Sequence, residues 1–490
     1  MKPKLLPITC LFLLLFFSFT LSGDRSYMQL PVQIWSVFAG DLDHDNDSDL
    51  ITGHQVAIGK TNKSLSILMN NGAGYFSVSD TSKSYCGYQQ NIFAVDMDND
   101  TWPDIVTFYS ENTNGIFHRF LRIWHNVNGV FAEVAQVDLS TSSILDWINH
   151  GDFNGDGLED IVLMSNTDMS WGGVFNNGSF NFSSPVYYSL TYPPQHIECG
   201  EINSDGKDEI IISGVPTEIY SYSNGGFYST VLENLYLEKT MVCDIDHDSD
   251  NDITGYVYNG YLQASQLFSY INNNGQFSRF TSLQFDGMAF DQLMGDFNND
   301  SLPDIAFLYR APEPTPENPT GYAKSLVLYY NDGDYQFIEP DSLKIYYSGE
   351  AWRDFVSADF DNNGYIDFAI TRYFSNNLPN SMELLFNDGN GSFLTFPVNF
   401  LDNNVYEPLV CYPTPFSESI KINFYTTNAS RAKFLIYDGS GKIVRKAESE
   451  TIAGLNEITL TDLNKLNKGV YFIEYTLDNK PVSAKKIIKI

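Results

Sequence analysis

The stretch "GDFNGDGLEDIVLM", residues 151–164, sets oxygen donors at Asp152, Asn154 and Asp156, two residues apart, with a fourth at Asp160 and an apolar run behind it. Alternating side-chain oxygens in a Gly-rich loop form the donor set of a hard divalent cation, which takes carboxylate, amide and carbonyl oxygens as ligands. Three readings fit this spacing: half of a helical cation-binding hand, a lone cation loop, or one unit of an array.

The same spacing recurs. An acid followed by oxygen donors two, four and eight residues later occurs at Asp41, Asp43, Asp45 and Asp49, and again at Asp96, Asp98, Asp100 and Asp104. After the opening copy it returns at Glu201, Asn203, Asp205 and Glu209, then at Asp244, Asp246, Asp248 and Asp252. The last two copies are Asp296, Asn298, Asp300 and Asp304, and Asp359, Asp361, Asn363 and Asp367. Seven copies at intervals of 43 to 63 residues are an internal repeat, so the chain reads as an array.

Each acidic loop is preceded by a short apolar segment ("WSVFAG", "NIFAV", "KTMVC") and followed by another ("DLITG", "DIVTFY", "DIVLM", "EIIISG"). An Asn/Gly turn leading to an aromatic residue comes later in the unit, ending at Phe76, Phe180, Phe227, Phe277 and Phe393. Two turn signals per repeat, separated by β-branched and aromatic runs, predict hairpins. The unit is strand, cation loop, strand, loop, strand, Asn-Gly turn, strand. A helical hand needs a bidentate Glu at the twelfth loop position. Those positions hold Thr52, Thr107, Leu163, Ile212, Gly255, Phe307 and Ile370, which excludes it.

On these residues the chain resembles the FG-GAP (VCBS-type) repeat found in the integrin α-subunit head, over roughly residues 30–400. The resemblance implies that each "DxDxDxxxD" loop joins the first two strands of a propeller blade and binds Ca2+. A four-stranded blade cannot bury both faces alone, and radial stacking buries them while protecting the edges. The expected fold class is all-β: a seven-bladed β-propeller over residues 24–404, followed by a small C-terminal β-sandwich over 405–490.

In each loop the side chains at the first, third, fifth and ninth positions are the expected ligands, with the seventh carbonyl and water completing the shell. Without metal, carboxylates about 4 Å apart repel by ~4 kcal/mol at an effective dielectric of about 20, so a cation turns the repulsion into a staple. Glu201 and Glu209 lengthen the fourth loop and Asn363 neutralises one position of the seventh, so these two are expected to bind more weakly. His44 and His247 fall at the fourth loop position, expected to face outward.

Composition is consistent with an exported β protein. Of 490 residues, 43% are hydrophobic and 15% aromatic, enough for a large core. Lys2 and Lys4 precede an apolar stretch that ends at Ser22 and Gly23, the pattern of a signal peptide over residues 1–23. No later apolar run reaches the ~20 residues needed to span a bilayer, so no transmembrane anchor is expected. Beyond Cys10, the wide spacing of Cys86, Cys199, Cys243 and Cys411 describes neither a disulfide scaffold nor a zinc site, and leaves buried thiols or at most one bridge. Residues 1–404 carry 16 Lys and Arg against 52 Asp and Glu, whereas 405–490 carry 12 against 9. The break marks a domain boundary, and the acidity excludes nucleic acid as a partner.

From Tyr412 onward the words are "YPTPFSESIKINF", "FLIYDGSGKIV", "GLNEITLTDLNKLNKGVYFIEY" and "KKIIKI". Alternating apolar residues between Asp-Gly and Gly-Lys turns predict an antiparallel sandwich, and a terminal carbohydrate-binding sandwich is one reading of it. The same words resemble the type A sorting domain of the type IX secretion system of Bacteroidota. Pro413, Pro415, Phe416, Gly441, Gly469, Lys485 and Lys486 fall on that pattern, and Thr414 stands where Asn is usual. The resemblance implies the type IX machinery as a partner, passage across the outer membrane, and a secreted or cell-surface destination.

No nucleophile elbow "GxSxG", "HExxH" or phosphate loop stands out. A binding or adhesion module for an extracellular glycan or protein is therefore expected rather than an enzyme. The alternative is a polysaccharide lyase or hydrolase on a calcium-bearing propeller, since fold does not determine function. Up-and-down connectivity puts the loops between second and third strands opposite the cation loops. The longest are 109–120, 309–325 and 372–381, which contain Tyr109, His118, Tyr309, Arg310, Tyr322, Arg372 and Tyr373 as candidate ligand contacts.

Overall fold

The computed structural model describes residues 28–29, 33–55, 65–80 except 73 and 75, 92–113, 116–139, 145–310, 324–338 except 334, 344–347, 351–373, 381–387, 389 and 393–396. In the C-terminal unit it describes 410–412, 416–426, 431–438, 442–451, 454–477 and 480–489. The signal-peptide residues 1–23, the boundary near 405, Tyr322, Pro413, Pro415 and Gly441 lie outside the described residues.

Among the described residues there is no α-helix; one 3-10 turn occurs at Leu463–Lys465. Among the described residues, seven antiparallel sheets of four or five strands precede residue 400. Their first strands are Gln33–Gly40, Ile92–Val95, Trp147–Gly151, His196–Gly200, Lys239–Cys243, Met288–Gly295 and Ala351–Ala358. Each is the apolar segment that leads into an acidic loop. The loop closes a hairpin in which the residue before it pairs with the ninth-position acid, as in Gly40 with Asp49, Gly151 with Asp160 and Ala358 with Asp367.

Burial is greatest in the middle of a sheet and least at its outer edge. The second strands Asp160–Ser165 and Glu209–Ser213 are buried at every residue, which is why they read as unbroken apolar runs, while Gly226–Glu233 at an outer edge is half-buried or exposed throughout. Apolar clusters fill the spaces between consecutive sheets. Ile51 and Ile67 of the first sheet meet Ile105 and Trp124 of the second. Tyr256 and Leu267 of the fifth meet Phe307 and Tyr329 of the sixth. Leu50, Leu68 and Phe76 of the first sheet also share a cluster with Phe360, Met382 and Leu384 of the seventh, so the sheets close on themselves. Met28–Gln29 adds to the seventh sheet beside Met382 and Ser381, tying the start of the array to its end. This is β-propeller architecture: each sheet buries a face that it could not bury alone.

Two sequence expectations change. The stretch 109–120 is not a loop: Asp104–Thr113 and Ile116–Val127 stay paired as far as Thr113 with Ile116, because polar and aromatic residues there continue the strand alternation. Tyr309, Arg310, Arg372 and Tyr373 are not on loops either: they end the strands Asp304–Arg310 and Asp367–Tyr373. Tyr309 is 7% exposed and edge-on to Phe285, so its ring is committed to the core. Cys199 and Cys243 carry free thiols, and burial pushes both up.

The C-terminal unit has two sheets. Val410–Tyr412, Ile420–Thr426 and Gly454–Leu460 form one; Arg431–Asp438, Ile443–Glu450, Gly469–Leu477 and Lys480–Lys489 form the other. Ile420, Ile422 and Leu460 face Phe434, Ile436, Ile473 and Tyr475 across a single core, a small sandwich as the alternation predicts.

Candidate metal centre

The loops are shaped by their own acids. In the opening copy, Asp152 Oδ1 accepts the N–H of Gly155 at 2.7 Å and of Asp156 at 3.1 Å, and Oδ2 accepts that of Gly157 at 2.7 Å. Asp156 in turn accepts the Leu158 N–H at 3.0 Å. The sixth loop repeats this with Asp296 on Asp300 and Ser301, and Asp300 on Leu302. These turns require left-handed backbone at the fourth and sixth positions, found at Asn99 and Thr101, Gly155 and Gly157, Asn299 and Ser301, and Asn362 and Gly364. His44 and His247 occupy that fourth position with φ of 59° and 60°, the strained point of the turn.

Curling brings the carboxylates together. Ligand atoms of Asp41, Asp43 and Asp45 lie within 4.8 Å of one another, as do those of Asp96, Asp98 and Asp100, of Asp244, Asp246 and Asp248, and of Asp359, Asp361 and Asp367. The third, fourth and sixth loops present Asn154, Asn203 and Asn298 at the third position, so an amide oxygen replaces one carboxylate. Several of these oxygens are orphans: Asp41 Oδ1, Asp43 Oδ1, Asp98 Oδ1 and Asp244 Oδ1 are buried and accept no hydrogen bond from the protein. A buried acceptor without a partner is costly, and a coordinated cation satisfies several at once. The all-oxygen donor set fits Ca2+.

The ninth-position acid does more than the sequence reading gives it. Asp49, Asp104, Asp160, Glu209, Asp252, Asp304 and Asp367 are all at most 1% exposed. Asp304 is typical: Oδ2 accepts the Phe297 N–H and Oδ1 the Asn331 N–H, each at 2.9 Å. It therefore clamps the start of its loop to the Asn-Gly turn. Burial pushes Asp49, Asp160, Asp252 and Asp304 up to about 7 and Asp367 to about 8 against these lowering bonds, with neighbouring loop acids adding repulsion.

Three kinds of residue escaped the sequence reading. The second loop position is apolar in every copy (Leu42, Met97, Phe153, Ile202, Ile245, Phe297, Phe360), and each side chain is buried at 4% exposure or less. The Asn of the Asn-Gly turn is a stitch between sheets as well as a turn former. Asn126 Nδ2 donates to the Leu42 carbonyl at 2.8 Å, Asn176 to Met97 at 2.7 Å and Asn272 to Ile202 at 2.6 Å; Asn331 donates to Ile245 at 3.1 Å and Asn387 to Phe297 at 2.8 Å. Every one of these acceptors is the second residue of the preceding sheet's loop. In the fourth sheet Tyr222 stands at that point, and Asp208 ties to Asp152 through both its N–H and its carboxylate. Finally, Asp47 and Asp250 place a fifth carboxylate at the seventh position of their loops, where only a carbonyl was expected. Asp47 is 5% exposed, and burial beside Asp45 pushes it up to about 7. The signal was the unbroken alternation of acids in "DLDHDNDSD".

A second polar cluster lines the inner strands. Lys239 pairs with Asp291, and Asp354 accepts the N–H of Val37 and of Phe355, each at 3.0 Å. Burial pushes Glu198 and Asp354 up to about 7. Glu198 keeps partial solvent access although protein surrounds it.

On the opposite face His118 is exposed, Arg310 is half-buried, and Tyr309 is in the core. The side chains of Tyr109, Arg372 and Tyr373 lie outside the described residues.

The fold and its loops define a class: an all-β propeller of acidic-loop repeats with a C-terminal sandwich. FG-GAP-like repeat models match residues 96–163, 152–212 and 296–370, and the model of a secretion system C-terminal sorting domain matches 410–490. The chain thus carries FG-GAP-like repeats and a type IX sorting tail, which marks it for export to the cell surface or beyond. No helix among the described residues is long and apolar enough to cross a membrane. No curated protein matches the chain. Two solved structures of BBS1N in complex with ARL6DN, soaked with mercury and with lead, match at 9% and 10% identity. Each match covers 65% of this chain and 98% of the other, with TM-scores of 0.36 and 0.32, too low to support any argument about this chain.

Proposed function

We propose that the protein is an exported binding module whose propeller is stapled by Ca2+ on one face and takes an extracellular glycan or protein on the other. The orphaned buried carboxylate oxygens of the loops support the calcium half of this reading. The binding half rests on one observation: large aromatic rings stand exposed on the face away from the cation loops. Tyr192 (56% exposed) and Tyr236 (39%) lie on connections between sheets, Tyr261 (96%) on a turn between second and third strands, and Phe290 (41%) near the start of an inner strand. Rigid aromatic rings bring large contact area at low entropic cost and stack on sugar faces, which supports a binding role for this face.

Glycan and matrix-protein arrays probed with the exported protein, in calcium and in EDTA, test this reading. Binding is expected in calcium, lost in the paired Tyr192→Ser and Tyr261→Ser variant, and reduced when residues 311–319 are replaced by a short Gly-Ser turn. The reading fails if nothing on either array is bound, or if binding survives both changes. It also fails in its calcium half if the metal content of the purified protein is negligible.

A further inference from the structure

One loop differs in donor chemistry from the other six. His125 directly precedes the stitching residue Asn126, where the equivalent residues are Met69, Phe175, Ile271, Tyr330 and Phe386. Its ring reaches back into the second cation loop. Nδ1 lies 3.0 Å from Asp104 Oδ1 and 3.9 Å from Asp98 Oδ2, and Nε2 lies 4.0 Å from Asp100 Oδ2. Donor atoms of Asp98, Asp104 and His125 all fall within 4.8 Å of one another, the only such group with a nitrogen among the described residues. Phe180 of the next sheet packs on the imidazole at 4.9 Å between centroids and holds it there. Asp98 Oδ1, in the same cleft, is buried without a hydrogen bond.

We propose that this second loop is a mixed nitrogen and oxygen site that holds a zinc-class divalent ion, while the other loops are oxygen-only. The inference rests on the loops being cation sites and adds which ion one of them takes. Imidazole is a good ligand for zinc, nickel and copper and a poor one for calcium, which takes six to eight oxygens. Ligand distances of about 2.0–2.2 Å around zinc put tetrahedral donors roughly 3.3–3.6 Å apart. The separations from Nδ1 to the two carboxylates bracket that value. An ion between them replaces the hydrogen bond between Nδ1 and Asp104 Oδ1, with water as the fourth ligand. Asp98 and Asp104 already neutralise the ion, and Asp96 and Asp100 are not ligands in this arrangement.

The test uses the untagged full chain, dialysed against excess Ca2+ with one equivalent of Zn2+ and, separately, Co2+ as a visible reporter. The wild type should retain about one equivalent of zinc and show the d–d absorption of nitrogen-ligated cobalt. His125→Phe should retain roughly tenfold less zinc or worse, with calcium content unchanged or raised by one. His125→Gln, which keeps a polar group beside Asp104, guards against a folding effect and should lose zinc as well. Loss of zinc to calcium in the wild type, or equal zinc retention in all variants, overturns the proposal. Because both metals are measured in each sample, zinc retained without calcium elsewhere would sink the calcium reading and leave this one standing.

Discussion

Asn70 Nδ2 donates to the carbonyl oxygen of Phe360 at 2.8 Å, across 290 residues of sequence. It is the same stitch that Asn126, Asn176, Asn272, Asn331 and Asn387 make to the sheet before them, here closing the last sheet onto the first. Removing a buried donor leaves its acceptor unsatisfied and costs about 1–3 kcal/mol. Asn70→Ala should lower stability by that amount in urea titrations, and Asn272→Ala by a similar amount. Asn224→Ala, on an exposed turn, should fall within about 0.5 kcal/mol of wild type. Equal effects from all three would remove the stitch from the account.

The ninth-position acid and the fifth-position acid should separate in metal-free protein. Asp304 holds two backbone N–H groups at 0% exposure, so Asp304→Ala should destabilise the EDTA-treated protein by about 2–4 kcal/mol. Asp300 is exposed and caps one turn, so Asp300→Ala should cost less than about 1 kcal/mol in EDTA and show its main effect only in calcium.

Calcium removal itself should lower the melting temperature, most at low salt. Asp152→Ala and Asp156→Ala should each lower metal stoichiometry and stability together, and Glu201→Ala should do less, because the fourth loop uses longer acids and lacks the Asn stitch at Tyr222. A melting temperature indifferent to EDTA would end the staple argument.

The inner-strand acids make stability depend on pH. Glu198 ionises near 4.5 when unfolded and is pushed up to about 7 in the fold by burial. Below pH ~4.5 both states carry the proton and the group costs nothing; between about 4.5 and 7 only the unfolded chain has released it, so stability falls as pH rises and then levels off. Water in contact with Glu198 reduces the size of the effect. With the loops saturated in calcium, Glu198→Gln should flatten the decline in melting temperature over that window. An unchanged slope would show that this carboxyl is solvated like a surface one.

Deleting residues 407–490 should leave the protein in the periplasm with its propeller folded. The C-terminal unit has its own core around Phe434, Ile436 and Tyr475, so its loss uncovers no propeller residue of that cluster. Cell fractionation with a melting curve of the retained chain gives the answer, and normal delivery of the truncated protein would refute the role of the tail.

The acidic loops, the strand that follows each and the sorting tail were legible in the sequence because their signals are local. A loop such as Asp152 to Asp160 is organised by hydrogen bonds within five residues, and its neighbours announce themselves by β-branched runs. What only the tertiary structure decided involves residues far apart. The Asn of a turn reads as a turn former until Phe360 is found beneath Asn70. His125 reads as a strand residue until pairing of the strands sets it against Asp104, 21 positions earlier. Tyr309 and Tyr261 are alike as sequence, yet one is buried against Phe285 and the other stands 96% exposed. Side-chain chemistry and spacing determine what a residue can do, but packing between sheets, driven by burial of faces no single sheet can cover, determines which partner it meets.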